Sequence, residues 1–423
     1  MAASLFWLAA LFAPLNLTDD WAQFRGRNAT GHAVIATQFE WDEKDGIRWS
    51  ANLPGPGSSS PIVVGDRVFV TCYTGYGIDP ENAGEPDALT RHLICFDRES
   101  GKMIWQTDAK SKAKEDPYKG MVPEHGYSSS TPVANERFVY VYYGKSGVYC
   151  YDMMGKEVWH RDLGTESDPM KFGDGSSPVL YENLVLVNAA NTDRSVVALD
   201  QATGEVVWST KDDRYKNCWA SPMIVRVDNH DELVLAFPGV IDGFDPKTGK
   251  RLWRADSPMV DSIYGTLVEH NGIVLAMGGR NQAAIAVRCG GMGDVTDSHV
   301  VWKTRLQSSI GTPVVVGDNL LWASQGKAYC IECATGKIVF EEALGAGTKG
   351  HAFDYASPVV AGDEMMILFK SGQIAVIANG GEFELLRMKR MPEERGRFNA
   401  SPAIAGKQMI IRSDKRLYSI QIK

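Results

Sequence analysis

A Ser/Thr-Pro step recurs along this chain at Pro61, Pro132, Pro178, Pro222, Pro313, Pro358 and Pro402. From Pro132 onward the steps lie 46, 44, 91, 45 and 44 residues apart, and the interval of 91 is two periods with Thr266-Leu267 at the empty beat. A period near 45 over almost the whole chain dictates a repeat architecture, in which one supersecondary unit is copied and stacked on its neighbours. It overrides the two or three domains that a length of 423 residues would otherwise suggest.

Each repeat reads as four short strands. In one copy, Ser221-Pro-Met-Ile-Val is followed by a polar turn, Glu232–Phe237, a second turn, Ile241–Asp245, a Pro-Lys-Thr-Gly turn and Lys250–Trp253. Short Val- and Ile-rich runs between Gly, Asp and Asn turns are antiparallel strands, and helical periodicity is nearly absent. A four-stranded sheet apolar on both faces must stack on copies of itself, and a ring of such sheets is a β-propeller.

The sharpest signature joins the third strand to the fourth. It reads Phe96-Asp-Arg-Glu-Ser-Gly-Lys-Met-Ile-Trp105, then Tyr151–Trp159, Leu199–Trp208 and Phe244–Trp253, with a Phe-ending copy at Ile331–Phe340. Asp caps the turn through nearby backbone, Gly supplies a positive φ, and the aromatic wedges between neighbouring sheets. Trp49, Trp105, Trp159, Trp208, Trp253, Trp302 and Phe340 are accordingly expected to dock blade on blade.

The Asp-x-x-Thr-Gly-x-x-x-Trp motif, with Ser-Pro opening the first strand, resembles the PQQ-like repeat of quinoprotein dehydrogenases and BamB-type outer-membrane assembly factors. The resemblance covers roughly residues 46–423. It implies an all-β, eight-bladed β-propeller of four-stranded antiparallel blades. The count agrees: first strands open near Ser60, Thr131, Ser177, Ser221, Thr266, Thr312, Ser357 and Ser401. The last repeat ends after three strands, so an N-terminal strand around Ile47–Leu53 is expected to close it and remove the open edges. Residues 19–45 form a lead-in like that seen in the family, expected to pack its aromatics against the outside of the ring. Residues 1–18, uncharged and apolar, fit a signal peptide and thus an exported protein of the periplasm or cell envelope.

Loop length marks the working face. Long insertions at about 74–91 and 108–127 both emerge with the second-to-third turns and the crossings between blades, and long loops in compact domains are usually functional. The Lys/Glu-rich stretch 110–115 within them is expected to be solvated. Residues entering the innermost strands ring the channel mouth, which gives His125, Tyr127, Asp174, Asn217, Trp219, Asp261, Tyr264, Arg280, His351, Asp354, Tyr355, Arg397 and Asn399 as binding-rim candidates.

A net charge of −8 argues against nucleic acid. Seven scattered cysteines make no disulfide framework, and Cys330-Ile-Glu-Cys333 has no second ligand pair to make a metal site. Two function classes remain beside a third reading, a sugar- or polymer-binding, lectin-like propeller whose Tyr127, Trp219, Tyr264 and Tyr355 would stack on rings. One is a non-catalytic binding or scaffold module for a protein or envelope polymer, acting as a monomer without a bound cofactor or metal. The other is an alcohol dehydrogenase using PQQ and Ca²⁺, which the resemblance allows; the family's adjacent cysteine pair is missing here, and no catalytic residue is assigned.

Overall fold

The computed structural model describes residues 19–34, 37–42, 46–79, 81–307, 310–347, 353–392 and 396–423. Eight sheets follow one another along the chain. Blade 1 comprises Ile62–Val64, Arg67–Thr74, Thr90–Asp97 and Met103–Lys110. Blades 2 to 7 repeat the same antiparallel order over 133–161, 179–211, 223–256, 268–305, 314–343 and 359–390. In blade 8, Ala403–Ala405, Gln408–Arg412 and Arg416–Gln421 are completed by Ile47–Asn52, with Trp49 opposite Ser419 and Asn52 opposite Arg416. The two chain ends therefore share one sheet, and the ring closes.

The Trp of one blade lies on the turn glycine of the next. Trp49, Trp105, Trp159, Trp208 and Trp302 face Gly101, Gly155, Gly204, Gly249 and Gly336, where any Cβ would stand 3.0 Å or less from the indole. These glycines also hold φ between 68° and 84°, so the position excludes other residues twice over. Each indole N–H then donates to a carbonyl of the same turn, at Arg98, Met153, Gln201, Pro246 and Cys333, over 2.8–3.0 Å. The turn aspartates hold the backbone in place, as where Asp200 Oδ1 accepts from Ala202 N and Thr203 N at 2.9 Å. Phe340 has no indole nitrogen and meets Phe383 edge-on, with ring centroids 5.6 Å apart.

Trp253 departs from this scheme. Blade 5 lacks the glycine turn and carries Cys289–His299 instead, of which Gly293–Asp294 pairs in parallel with Trp253–Arg254 as a fifth strand on blade 4. Trp253 is fully buried, and its Nε1 donates to Glu232 Oε2 of its own sheet at 2.7 Å. Glu232 also accepts from Gly290 N at 3.2 Å, which pins the insertion.

The lead-in corrects its expected place. Residues 21–33 run along innermost strands rather than the outside of the ring, while Trp41 packs under Lys389 on the outermost strand of blade 7. Trp21 exchanges backbone hydrogen bonds with Val63, and Ala134 N donates to Ala22 O. Further on, Val360 N donates to Gly31 O and Ala33 N to Val360 O. The segment thus crosses the axis from blades 1 and 2 to blade 7, at the end of the strands away from the loop-rich mouth. The expected leader, 1–18, lies outside the described residues. All seven cysteines are free and buried. Burial pushes the Cys330 and Cys333 thiols up to about 11 and about 12.

Candidate functional site

The recurrent Ser/Thr has a second role at the axis. Ser60 N donates to Thr131 Oγ1, Thr131 N to Ser177 Oγ, Ser177 N to Ser221 Oγ and Ser221 N to Thr266 Oγ1. Thr266 N, Thr312 N and Ser357 N continue to Thr312, Ser357 and Ser401, and Ser401 N returns to Ser60 Oγ. Every link is 2.8–3.0 Å long, so one hydrogen-bonded circle joins all eight blades. Pro follows in seven of the eight repeats, where the innermost strand has no further neighbour to receive an N–H.

Above this circle lies a cavity of about 520 Å³, lined by all eight hydroxyl residues and reached from below by Phe24 of the lead-in. Three aromatic rings from successive blade entries form one wall. Phe172 lies 5.8 Å from Trp219, and Trp219 stacks on Tyr264 at 5.5 Å with 21° between the planes. The Trp219 indole N–H donates to Gly173 O at 2.7 Å, which holds the half-buried ring in this wall. Phe353, Tyr355, Gln282, Gln307, Gln325 and Asn399 complete the lining with Arg280 and His125. Among the described residues the lining contains no Asp or Glu.

The two insertions of blade 1 fold together. Tyr73, Tyr76 and Leu89 are buried against Ala83, Tyr118 and Tyr127. Stretch 110–115 is not wholly solvated: Glu115 pairs with Arg91 at 2.8 Å, both side chains buried, and Asp116 pairs with Lys145 at 3.1 Å. The short helix Val122–His125 that follows leans across the mouth to blades 8 and 7, on the other side of blade 1. Arg397 Nη1 donates to Pro123 O at 2.7 Å, Asn399 Nδ2 donates to Glu124 O at 2.6 Å, and Lys370 pairs with the Glu124 carboxylate.

Of the rim candidates, His125, Trp219, Tyr264, Arg280, Tyr355 and Asn399 line the cavity. His125 bonds Ser129 Oγ at 2.8 Å, and burial lowers its imidazole pKa, so it sits neutral. Tyr127 is in the aromatic cluster of the insertions, and its hydroxyl donates to Asp116 O. Asp174 lies behind the wall beside Gly144, and burial, with help from Asp168 and Glu115, raises its carboxyl pKa to about 7. Asn217, at φ 47°, donates to Asp261 O, and the Asp261 carboxylate accepts from Arg280 N. Asp354 accepts from Lys370 N, and Arg397 pairs with Asp414. His351 lies outside the described residues. The ring hydroxyls, Phe24 and the glutamines escaped the sequence reading. The hydroxyls stand in the repeat itself, where the sequence shows them only as strand openers, and the glutamines sit in connecting segments with no motif.

A family model described as outer membrane protein assembly factor BamB matches residues 90–342 and 291–423. The chain belongs to this PQQ-like repeat family. No curated protein sequence matches it. Among solved structures, BamB from Moraxella catarrhalis aligns at a TM-score of 0.61 and 13% identity, over 89% of this chain and 97% of that one. The quinohemoprotein alcohol dehydrogenase of Comamonas testosteroni aligns at 0.65 and 12%, over 97% and 81%. The computationally designed Ika8 protein aligns at 0.56 and 13%, over 88% and 98%. At these identities the neighbours share the fold alone, and both binding proteins and dehydrogenases are among them. No described helix is long and apolar enough to cross a membrane.

Proposed function

We propose that this BamB-type propeller is a non-catalytic, exported binding module that takes its ligand into the axial cavity through the loop-rich face. The observation that carries this reading is the lining itself. It offers flat aromatic faces, amides and hydroxyls, the usual means of fixing an organic ligand. A PQQ–Ca²⁺ site needs carboxylate and amide oxygens around the ion and a carboxylate base beside it. The carboxylates nearest the mouth are occupied or set back: Asp261 holds Arg280 N, Asp354 holds Lys370 N, and Asp174 lies behind the wall. Among the described residues no three His, Cys, Asp or Glu side chains come together to hold a metal ion. The described residues therefore do not fit the dehydrogenase cofactor, which supports the binding-module reading.

Titration with PQQ and Ca²⁺, followed by absorbance and melting temperature, tests the choice. We expect neither a bound quinone band nor alcohol-dependent dye reduction. Stoichiometric PQQ binding with turnover would replace the binding module by an enzyme. A pull-down from envelope extracts should lose its partner when Trp219 and Tyr355 are changed to Ala.

A further inference from the structure

The cavity also indicates what class of molecule it takes. Resting on the binding-module reading above, we infer that it recognises an acidic saccharide: a sugar ring stacked on Trp219, with its anionic substituent at Arg280.

Three observations converge on this class. The first is the aromatic wall. Phe172, Trp219 and Tyr264 line the cavity side by side, and the Trp219 N–H is already bonded to Gly173 O, so this wall offers a ligand aromatic carbon surface rather than an indole donor. A pyranose presents a flat patch of C–H groups suited to such a face, with hydroxyls around its edge.

The second is a pair of unsatisfied polar atoms on adjacent blades. Among the described residues, Tyr355 Oη and Asn399 Oδ1 are buried with no hydrogen-bond partner, and both residues line the cavity. Asn399 is 9% exposed, and its amide nitrogen is already fixed on Glu124 O. Buried polar groups left unpaired are costly and call for a partner. One is a phenol able to donate and the other can only accept, and sugar hydroxyls serve both.

The third is charge. Arg280 is exposed at the cavity and its side chain makes no ion pair among the described residues, whereas the cations near the helix are paired, Lys370 with Glu124 and Arg397 with Asp414. Arg280 is the one Lys or Arg among the described lining residues, on a chain of net charge −8, and Asp261 stays bonded to its backbone N–H. A peptide end is the competing class. Its ammonium or its carboxylate would enter with a side chain that Met121, Ile310 and Phe353 of the lining could receive, and it offers no ring of hydroxyls to serve both unpaired atoms.

Tryptophan fluorescence and calorimetry on the full chain test this with four probes: trigalacturonate, a sulfated galactose trisaccharide, neutral galactotriose and an acidic tripeptide. Both acidic sugars should bind, and galactotriose about tenfold more weakly, the size of one charge-assisted hydrogen bond. Binding by only one acidic sugar would still support the class and would separate carboxylate from sulfate. Arg280→Gln should remove the preference for acidic over neutral sugar without moving the melting temperature. Trp219→Ala should abolish binding, and Trp219→Phe should weaken it while keeping the wall filled. The saccharide assignment is overturned if no sugar binds, or if sugar binding survives Trp219→Ala. Tripeptide binding that depends on Trp219 would sink the ligand class and leave the binding module standing. The module itself fails if the envelope pull-down also gives no Trp219-dependent partner.

Discussion

The rim and the hub of this wheel follow opposite rules. At the rim, five seams repeat one arrangement: an indole on a glycine, its N–H on the carbonyl of the same turn. At the hub, the hydroxyl circle repeats with equal regularity, but the residues just above it differ from blade to blade: Phe172, Trp219, Tyr264, Phe353 and Asn399. The repeating positions carry assembly and the varying positions carry recognition. The seam between blades 4 and 5 tests this rule. There the glycine turn is lost, and the chain compensates with a fifth strand and a buried Glu232 under Trp253.

The largest effect should come from a regular seam. Trp208→Ala empties the space over Gly249 and is expected to cost about 3–5 kcal/mol in chemical denaturation, with ligand affinity in the remaining folded protein unchanged. A loss below 1 kcal/mol would mean that the wedges do not carry assembly. A smaller effect is expected at the exceptional seam. Trp253→Phe keeps most of the ring and leaves Glu232 Oε2 without its indole donor, so about 1–3 kcal/mol should be lost. Trp208→Phe, which removes a bond to a carbonyl, should cost less, and equal losses would erase the distinction between the two kinds of seam.

A third effect belongs near the hub and depends on pH. The Asp174 carboxyl has its pKa raised to about 7 from 3.8, so the folded state holds the proton more tightly than the unfolded chain does. Ionising it disfavours folding, and the penalty grows as pH rises from about 4 through 7. Asp174→Asn should therefore raise the melting temperature at pH 8 and lose that advantage progressively by pH 4. A constant difference across the range would show that the carboxyl ionises freely.

Much of the rim could be read directly. The Asp-x-x-Thr-Gly-x-x-x-Trp motif repeats because each seam solves the same packing problem, and a local pattern suffices to place Trp159 on Gly204. The hub was legible only in part. Trp219, Tyr264 and Tyr355 could be placed near the mouth from their position before a Ser/Thr-Pro step, but Tyr127, with the same placement, turns instead into the aromatic cluster of the insertions. Its partners Tyr73, Tyr76 and Tyr118 come from separate stretches that meet only after folding.

By itself the sequence determined the repeat, the number of sheets and the latch between the two ends, because these depend on short motifs recurring at a fixed interval. The tertiary structure alone decided that eight hydroxyls bond head to tail around the axis, that Phe24 reaches the cavity from below, and that helix Val122–His125 leans over the mouth. Those contacts join residues up to 341 positions apart. No local pattern encodes such a meeting; it follows only once the ring has closed and brought distant segments to one axis.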